Sequence, residues 1–298
     1  MQPMTLEELE KKRLAARRSY IFYGILNIAV LATLIVSTLQ LGLVVLVLSL
    51  VYYFGLARPD IKGFGRDFRV SNIMNTLPRE MENVVYHGKG GLDRDVLLQD
   101  KLLPVKPGKS FLTFHKVTGE SRGMKVELCD VTFQVEDLSP KAKAQFASGC
   151  WVRVRLDRHT GQRARLVSRN MITPGIQRPW FQENTEFRPM EWSESRVDPE
   201  FCSYAPEGKL PVVSESVLGR LMDLVEYTPG SVAMGLEDDL LVFFLCHRFV
   251  AAKDPSLKKP LTQEQLDLNP LPELGYILKI ATACRRMDSS EDSQERPE

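Results

Sequence analysis

The feature that most constrains this chain is a long stretch without charge. No Asp, Glu, Lys or Arg occurs from Ser19 to Ala57, a run of 39 residues, although 26% of the whole chain is charged. A single helix of that length would extend roughly 58 Å, whereas the hydrocarbon core of a bilayer is about 30 Å thick. Two spans of about 17–18 residues fit that thickness. The run therefore predicts a transmembrane helical hairpin over residues 20–57.

The break between the two spans is predicted at Ser37–Gly42, where polar residues and a glycine cluster. Lysines and arginines flank both outer ends of the run, whereas the turn has none, so the positive-inside rule places both ends in the cytoplasm. Tyr20, Phe22 and Tyr23 open the hairpin, and three more aromatic residues close it at Tyr52–Phe54. An interfacial aromatic belt on one side only is typical of a hairpin.

Residues 1–19 are predicted to form a basic cytoplasmic helix, because Thr5 and Glu8 have the spacing of a capping box. A cleaved signal peptide is one competing interpretation, but the apolar stretch far exceeds the usual ~7–15 residues and no small-residue cleavage site follows it. A single span with a buried second segment is the other. The hairpin predicts contact with the lipid bilayer through residues 20–57, with both termini cytoplasmic.

The rest of the sequence predicts a cytoplasmic α+β domain over residues 58–286 and a disordered acidic tail over residues 287–298. Arg58–Gly65 has the composition of a short linker. Met124–Val135 alternates like a strand, and Glu215–Tyr227 has a helical apolar stripe. Because strands and a few helices are interleaved without a regular βαβ pattern, a mainly antiparallel sheet with packed helices is expected.

Short patterns dispersed between Arg69 and Arg286 add a resemblance. They are Tyr86-His87 with Gly91-Leu92-Asp93, Gly123–Val126, Phe201–Tyr204, Ser216–Leu221, and Gly235-Leu236 with Leu240–Phe244. In these patterns and their order the chain resembles a bacterial membrane-protein family, the domain-of-unknown-function family 3137. The resemblance implies two membrane helices and a cytoplasmic domain, and hence a place in the bacterial inner membrane. It implies no catalytic residues, because the family has no established activity.

Arginine is concentrated in Trp151–Arg169, where six arginines are opposed only by Asp157. They are Arg153, Arg155, Arg158, Arg163, Arg165 and Arg169. Alternation predicts that Trp151–Leu156 and Gln162–Val167 pair as a β-hairpin. A solvated outer face is the structural interpretation. The functional one is a surface for an acidic partner or anionic lipid headgroups, which attract each basic residue by about 1 kcal/mol. Nucleic acid is disfavoured, because no stacking aromatics alternate with these arginines.

One motif suggests nucleophilic catalysis. Gly119–Gly123 matches the G-x-S-x-G pattern around Ser121, and Asp223 and His247 follow in the chain order of a triad. A nucleophile elbow needs a helix after the serine, however, and the sequence after Gly123 alternates like a strand. A hairpin turn, where glycine and serine are common, is the favoured interpretation.

Other site patterns are incomplete. A phosphate-binding loop ending in Gly108-Lys109-Ser110 would require glycine where Leu103 stands. The four histidines, at positions 87, 115, 159 and 247, lack metal-ligand spacing. The five cysteines contain no C-x-x-C pair and are expected to be reduced thiols. No metal, cofactor or catalytic residue is therefore predicted.

These observations predict a membrane-anchored cytoplasmic module with an interaction or scaffolding role, which binds a protein partner and is not an enzyme. The first alternative is a domain that senses anionic lipid through the arginine-rich segment. The second is a serine hydrolase built on Ser121.

Overall fold

A computed structural model of the chain describes residues 3–36, 39–103, 111–134, 146–169, 186–190, 200–206, 213–249 and 255–286. The fold is α+β, with long apolar N-terminal helices, a mainly antiparallel sheet and further helices, as the sequence predicts. The chain forms two compact units: Met1–Leu77 with Ala252–Pro270, and Pro78–Ala251 with Leu271–Glu298. The predicted tail, 287–298, lies outside the described residues.

The first unit begins with a helical hairpin. Its helices are α1, Leu6–Val36, α2, Leu39–Tyr52, and α3, Arg58–Thr76. The capping box is confirmed, because the Glu8 amide donates to the Thr5 hydroxyl (3.3 Å) and the Thr5 amide donates to the Glu8 carboxylate (2.9 Å). Helix α1 ends just before residue 37 and α2 begins just after residue 38, and these two residues lie within the predicted break. Among the described residues, two helices are long and apolar enough to cross a membrane.

The predicted linker Arg58–Gly65 is wrong, because these residues belong to α3. A π-helical turn, Tyr53–Ala57, joins α2 directly to α3. Pro59 lies at the start of α3 and cannot donate a helical hydrogen bond. The wider π turn changes the hydrogen-bonding register just before this proline, so the helix continues past a residue that would otherwise break it.

A segment from late in the sequence completes the first unit. Leu261 and Leu266 join a buried cluster with Leu9 and Phe68, residues of α1 and α3. Asn72 of α3 donates from Nδ2 to the carbonyls of Leu266 and Leu268, both at 2.8 Å. These contacts bring a short helix, α6, Gln263–Asp267, into this unit. Sequence periodicity contains no sign of such a long-range return.

The second unit is built on a nine-stranded sheet among the described residues. The strands are β1, Glu82–His87, β2, Leu112–Ser121, β3, Met124–Gln134, β4, Phe146–Arg155, β5, Arg163–Ser168, β6, Phe187–Met190, β7, Phe201–Pro206, β8, Val232–Glu237, and β9, Leu240–Leu245. Their spatial order is β1-β2-β3-β4-β9-β8-β5-β7-β6, and every pair is antiparallel.

The predicted hairpin between Trp151–Leu156 and Gln162–Val167 is wrong. The strands β4 and β5 are separated by the β8–β9 hairpin, so β4 pairs with β9 and β5 pairs with β8. The connection between β4 and β5 bonds to the β8–β9 turn, since the Thr160 hydroxyl donates to the Asp238 carbonyl at 2.7 Å. A polar side chain that was expected to help close a turn between β4 and β5 therefore stabilises the turn between β8 and β9.

Both faces of the central strands are buried, which explains why the apolar parity switches within β3. Leu128 and Cys129, neighbours on opposite faces, are both inaccessible to solvent. On one face, Trp151, Phe133 and Phe244 form a core with leucines around α4, Arg94–Gln99. The remaining helices, α5, Glu215–Tyr227, and α7, Leu274–Cys284, have buried apolar stripes, and α5 has the predicted bounds.

Candidate functional site

The six arginines predicted as a surface patch are distributed between interior and surface. The side chains of Arg153 and Arg165 are only 12% and 2% exposed, whereas that of Arg155 is 52% exposed. Arg153 and Arg165 lie on the face of the sheet that also buries Trp151. These arginines are close together in the sequence, but the fold places the side chains of only some of them in the interior of the sheet unit.

Arg153 is held by two carboxylates. Its Nε lies 3.1 Å from Asp100 Oδ2, and its Nη1 lies 3.2 Å from Glu127 Oε2. The Trp151 indole donates to the same Asp100 oxygen at 3.0 Å. Burial raises the pKa of Asp100 above its ordinary value, although Arg153 and Trp151 act in the opposite direction. The positive charge of Arg153 is therefore balanced inside the protein.

Arg165 has a similar environment. Its Nη2 lies 2.6 Å from Glu237 Oε2 and donates to the Asp100 carbonyl at 3.0 Å, and Nη1 donates to the Leu236 carbonyl at 2.9 Å. The guanidinium stacks over the Phe187 ring, 4.6 Å from its centroid. Burial lowers the pKa of Arg165. Arg153 and Arg165 thus meet at Asp100, and the charge of each is balanced by carboxylates.

Further ion pairs between arginine, lysine and glutamate side chains extend from Arg165 toward the side of the sheet. Arg163 contacts Glu237 and lies 2.5 Å from Glu186, which also contacts Lys101. Hydrogen bonds from Lys101 and Arg163 lower the pKa of Glu186 to about 2. We call the groups joined in this way the ionic network: Lys116, Glu127, Arg153, Asp100, Arg165, Glu237, Arg163, Glu186 and Lys101.

The other predicted arginines lie apart from the interior. Arg155 Nη1 donates to Asp239 at 2.6 Å. The Arg169 guanidinium lies 3.7 Å from the Cys202 sulfur, and its amide donates to the Glu200 carbonyl. Arg158 is half-buried in the connection after β4. The structure therefore joins three of the six in the ionic network and does not gather all six at one surface.

A groove of about 330 Å³ lies at the end of the ionic network. Its lining includes Lys125, Glu127, Arg153, Arg155 and Leu240. The lining combines positive, negative and apolar groups. The groove therefore fits polar side chains of mixed charge better than a simple anion. We call it the sheet groove, and it is the part of the predicted arginine site that a partner could enter.

Ser121 lies where the turn interpretation places it. It pairs with Met124 across the β2–β3 turn, whose two central residues, Arg122 and Gly123, have φ values of 52° and 82°. Two successive positive φ angles define a type I′ hairpin turn. The predicted triad partner His247 instead lies 3.1 Å from Glu273. The context is strand–turn–strand, which a nucleophile elbow does not have.

The remaining candidate groups also have local partners. His115 Nδ1 lies 2.7 Å from the Tyr86 hydroxyl, and His159 lies 2.5 Å from Asp238. Within the described ranges, no three His, Cys, Asp or Glu side chains are grouped as metal ligands. Burial raises the pKa of the Cys129 thiol to about 12, which keeps it protonated. The phosphate-loop residues 108–110 lie outside the described residues.

Sequence reasoning missed the acidic half of the ionic network. Asp100, Glu186 and Glu237 are far from the arginines in sequence, and only the strand order brings them together. The one available signal was that Glu127 and Glu237 occur in strand-like runs where buried residues surround them. A carboxylate held among buried residues in this way favours a cation nearby, although both side chains stay about one-third exposed.

Comparisons with known proteins identify one distant structural similarity. Neither a scan against protein-family models nor a search of curated proteins found a match. Among solved structures, the chain is similar to the crystal structure of the mycobacterial trehalose monomycolate transport factor A, TtfA, at a TM-score of 0.33 and 10% sequence identity. The alignment covers 72% of this chain and 96% of that chain. Similarity at this level carries no inference about function.

Proposed function

We propose that the chain is a membrane-anchored interaction module, in which residues 20–57 anchor the protein and the sheet unit binds a protein partner. The observation that carries the anchoring is the exposure of apolar side chains on the hairpin. Ile28, Ile35 and Val36 are 68%, 82% and 84% exposed. Fully burying one such side chain contributes roughly 1.5–3 kcal/mol, so a row of them strongly favours lipid over water.

The proposed orientation has both ends of the hairpin on the cytoplasmic side. Ring pairs Phe22–Tyr52 and Tyr23–Tyr53, with centroids 4.8 and 4.7 Å apart, support it by gathering the aromatic residues at one level. Just beyond that level, the Ser19 hydroxyl donates to Asp60 at 2.5 Å. Polar contacts thus begin where the aromatic belt ends, and the lysines and arginines of both helices lie on this same side.

Extraction of membranes at alkaline pH tests the anchoring. Aspartates at Ile28 and Val47 should release the protein from the membrane pellet, because each charge at mid-membrane costs about 2.5–3.5 kcal/mol. Aspartates at Val85 and Leu112, exposed apolar positions of the sheet unit, are the matched control and should leave it in the pellet. Retention of both variants would contradict the proposed anchor.

Two features of the sheet unit support binding of a protein partner. The sheet groove presents Lys125, Glu127 and Arg155 beside the apolar Leu240. Next to it, β1 is an edge strand, and its Val85 is 49% exposed. An edge strand can add an extended peptide through main-chain hydrogen bonds, and flanking pockets give selectivity. The proposed partner therefore presents an extended segment with polar side chains of mixed charge.

Site-specific photocrosslinking in native membranes tests this binding. A photoreactive residue at Lys125 should give a discrete adduct that is lost when Arg155 is replaced by Glu. The same probe at Lys258, an exposed position of the other unit, should give no such adduct. Equal adducts from both positions, or none from Lys125, would contradict a partner at the sheet groove.

The predicted alternatives have less support. Lipid sensing through the arginine-rich segment would need open cations, whereas Arg153 and Arg165 are paired with carboxylates. A hydrolase on Ser121 would need a base beside it, whereas His247 contacts Glu273. The resemblance to family 3137 stays a prediction, and it agrees with the proposed membrane anchor.

A further inference from the structure

A second cavity of the sheet unit has a different charge pattern. Its volume is about 310 Å³, and it is lined by residues of the β2–β3 turn, the start of α5 and the end of α7. Four basic residues contribute to it: Arg122, Arg220, Lys279 and Arg286. Within the described part of the chain, no acidic side chain lines this cavity. We call it the basic cavity.

The fold holds these cations from three separate elements. Arg122 occupies the type I′ turn, and its carbonyl accepts a hydrogen bond from Arg285 at 2.9 Å, which ties the turn to the end of α7. Lys279 projects from α7 and lies 5.1 Å from the Tyr276 ring centroid. Arg220 belongs to α5, and its Nε is buried without a hydrogen-bond partner among the described residues. A buried donor of this kind is satisfied when an acceptor enters the cavity.

Hydroxyl groups at the start of α5 add donors. Ser214 is the N-cap residue, and its side chain makes no capping bond, while Ser216 follows in the first turn. The first amides of a helix have no acceptor within it, and the helix dipole favours negative charge there. Thr282 also lines the cavity, but its hydroxyl donates to the Leu278 carbonyl at 2.7 Å. The serines are therefore the hydroxyl donors available to a ligand.

We infer that the basic cavity binds a phosphate-type oxyanion, either free or as the ester of a lipid headgroup. Like charges gathered around one cavity repel each other, and an oxyanion relieves that repulsion while accepting several hydrogen bonds. In the ionic network, carboxylates of the protein do this for the arginines of β4 and β5. Arg122 and Arg220 form no ion pair with any described residue, so the balancing charge is assigned to a ligand.

The surroundings limit the size of the anion. A neighbouring groove of about 480 Å³ shares Arg122 and Lys279 with the basic cavity, but it also contains Glu80, Glu82 and Glu120. These carboxylates repel a second phosphate that would extend from the first. The site is therefore expected to prefer a monophosphate over a diphosphate or triphosphate.

Calorimetric titration of the full chain in neutral detergent micelles tests this inference. The probes are inorganic phosphate, sn-glycerol 3-phosphate, short-chain phosphatidylglycerol and inorganic triphosphate. Replacing Arg220 and Lys279 together by Gln should weaken binding about tenfold or more, because two charge-assisted contacts are lost. Replacing Lys258 and Lys259 by Gln changes the net charge equally at exposed positions and should leave binding unchanged. Lys279→Gln alone, at an exposed position, gives the same test if the double variant does not fold.

The outcomes separate the two sources of the ligand. Saturable binding of phosphate and glycerol phosphate, with no added affinity for phosphatidylglycerol, supports a soluble ligand. Tighter binding of phosphatidylglycerol that excludes phosphate supports a lipid headgroup. Absence of saturable binding by every probe, or equal weakening in the Lys258 and Lys259 control, overturns the inference, and tighter binding of triphosphate overturns the expected size limit.

Discussion

Two groups of basic side chains in the sheet unit make an instructive comparison. The arginines of β4 and β5 are close in sequence, yet Arg165 is buried and Arg153 largely so, and both are balanced by Asp100, Glu127 and Glu237. The residues of the basic cavity are scattered from position 122 to position 286 and have no carboxylate in their lining among the described residues. The arginines that are concentrated in sequence are therefore partly paired inside the protein, whereas the dispersed basic residues line a cavity without carboxylates.

The strand order is the physical cause of this difference. Because the β8–β9 hairpin lies between β4 and β5, it places Glu237 beside Arg163 and Arg165. A local β-hairpin of β4 and β5 would have left the arginines facing each other, with Asp157 as their only local counter-charge. Charge density along a sequence predicts an open patch only when the pairing of the strands is known.

Removing a buried arginine should have the largest effect. Arg165→Ala should destabilise the sheet unit by about 3–5 kcal/mol, because breaking a buried ion pair leaves polar groups unsatisfied. Arg155→Ala, at a half-exposed surface pair, should cost less than about 1 kcal/mol. Denaturant unfolding of the full chain in micelles measures both. Similar losses for the two variants would show that the comparison between buried and exposed arginines is wrong.

Acid titration should show the paired state of Glu186. Its pKa is lowered to about 2, so its pairing stabilises the folded state above its ordinary pKa and is lost as the pH falls from about 4.5 to about 2. Because the side chain is one-third exposed, the effect should be about 1 kcal/mol. Glu186→Gln should flatten this part of the stability curve.

The quantity to measure is the difference in unfolding free energy between the Glu186→Gln chain and the unsubstituted chain. The difference is needed because Asp100 has a raised pKa, and its protonation at acidic pH affects stability in the opposite direction in both chains. Unfolding free energies of the Glu186→Gln and unsubstituted chains at pH 6 and pH 3 provide it. A gap between the two proteins that stays constant with pH would contradict the pairing of Glu186.

The His247–Glu273 pair provides a third test near neutral pH. The contact with Glu273 raises the pKa of His247, so this pair stabilises the fold below about 6.5 and the contribution is lost as the pH rises through the folded-state pKa. The effect should be below about 1 kcal/mol, since the imidazole is partly exposed. Melting temperatures of His247→Gln should vary less between pH 6 and pH 8 than those of the unsubstituted chain, and an unchanged pH dependence would contradict the pair.

The basic cavity should show the smallest effect on stability. Arg220→Gln should change the unfolding free energy by less than about 0.5 kcal/mol without phosphate, because it removes a donor that has no partner among the described residues. Phosphate should then stabilise the unsubstituted chain and not this variant, because a ligand stabilises only the state it binds. Thermal melting with and without phosphate is the measurement. A loss comparable to that of Arg165→Ala would place Arg220 among the structural arginines.

Sequence patterns were informative where the structure depends on local physics. The Thr5 capping box and the stripe of α5 depend on neighbours a few residues apart, and both were predicted correctly. The charge-free run correctly predicted two long apolar helices. Patterns were misleading where partners are distant. The helical path through Pro59 depends on the π turn before it, and the role of Arg165 depends on Glu237, 72 residues away.

The central claim, a membrane hairpin with both ends in the cytoplasm, is tested most directly by cysteine accessibility. Single cysteines at Gln40, beside the hairpin turn, and at Lys89, an exposed loop residue, would be placed in a chain whose five native cysteines are replaced by alanine. A membrane-impermeant maleimide would then be applied to right-side-out and inverted membrane vesicles. The account predicts labelling at Gln40 only in right-side-out vesicles and at Lys89 only in inverted ones. Labelling of both positions from the same side would contradict it.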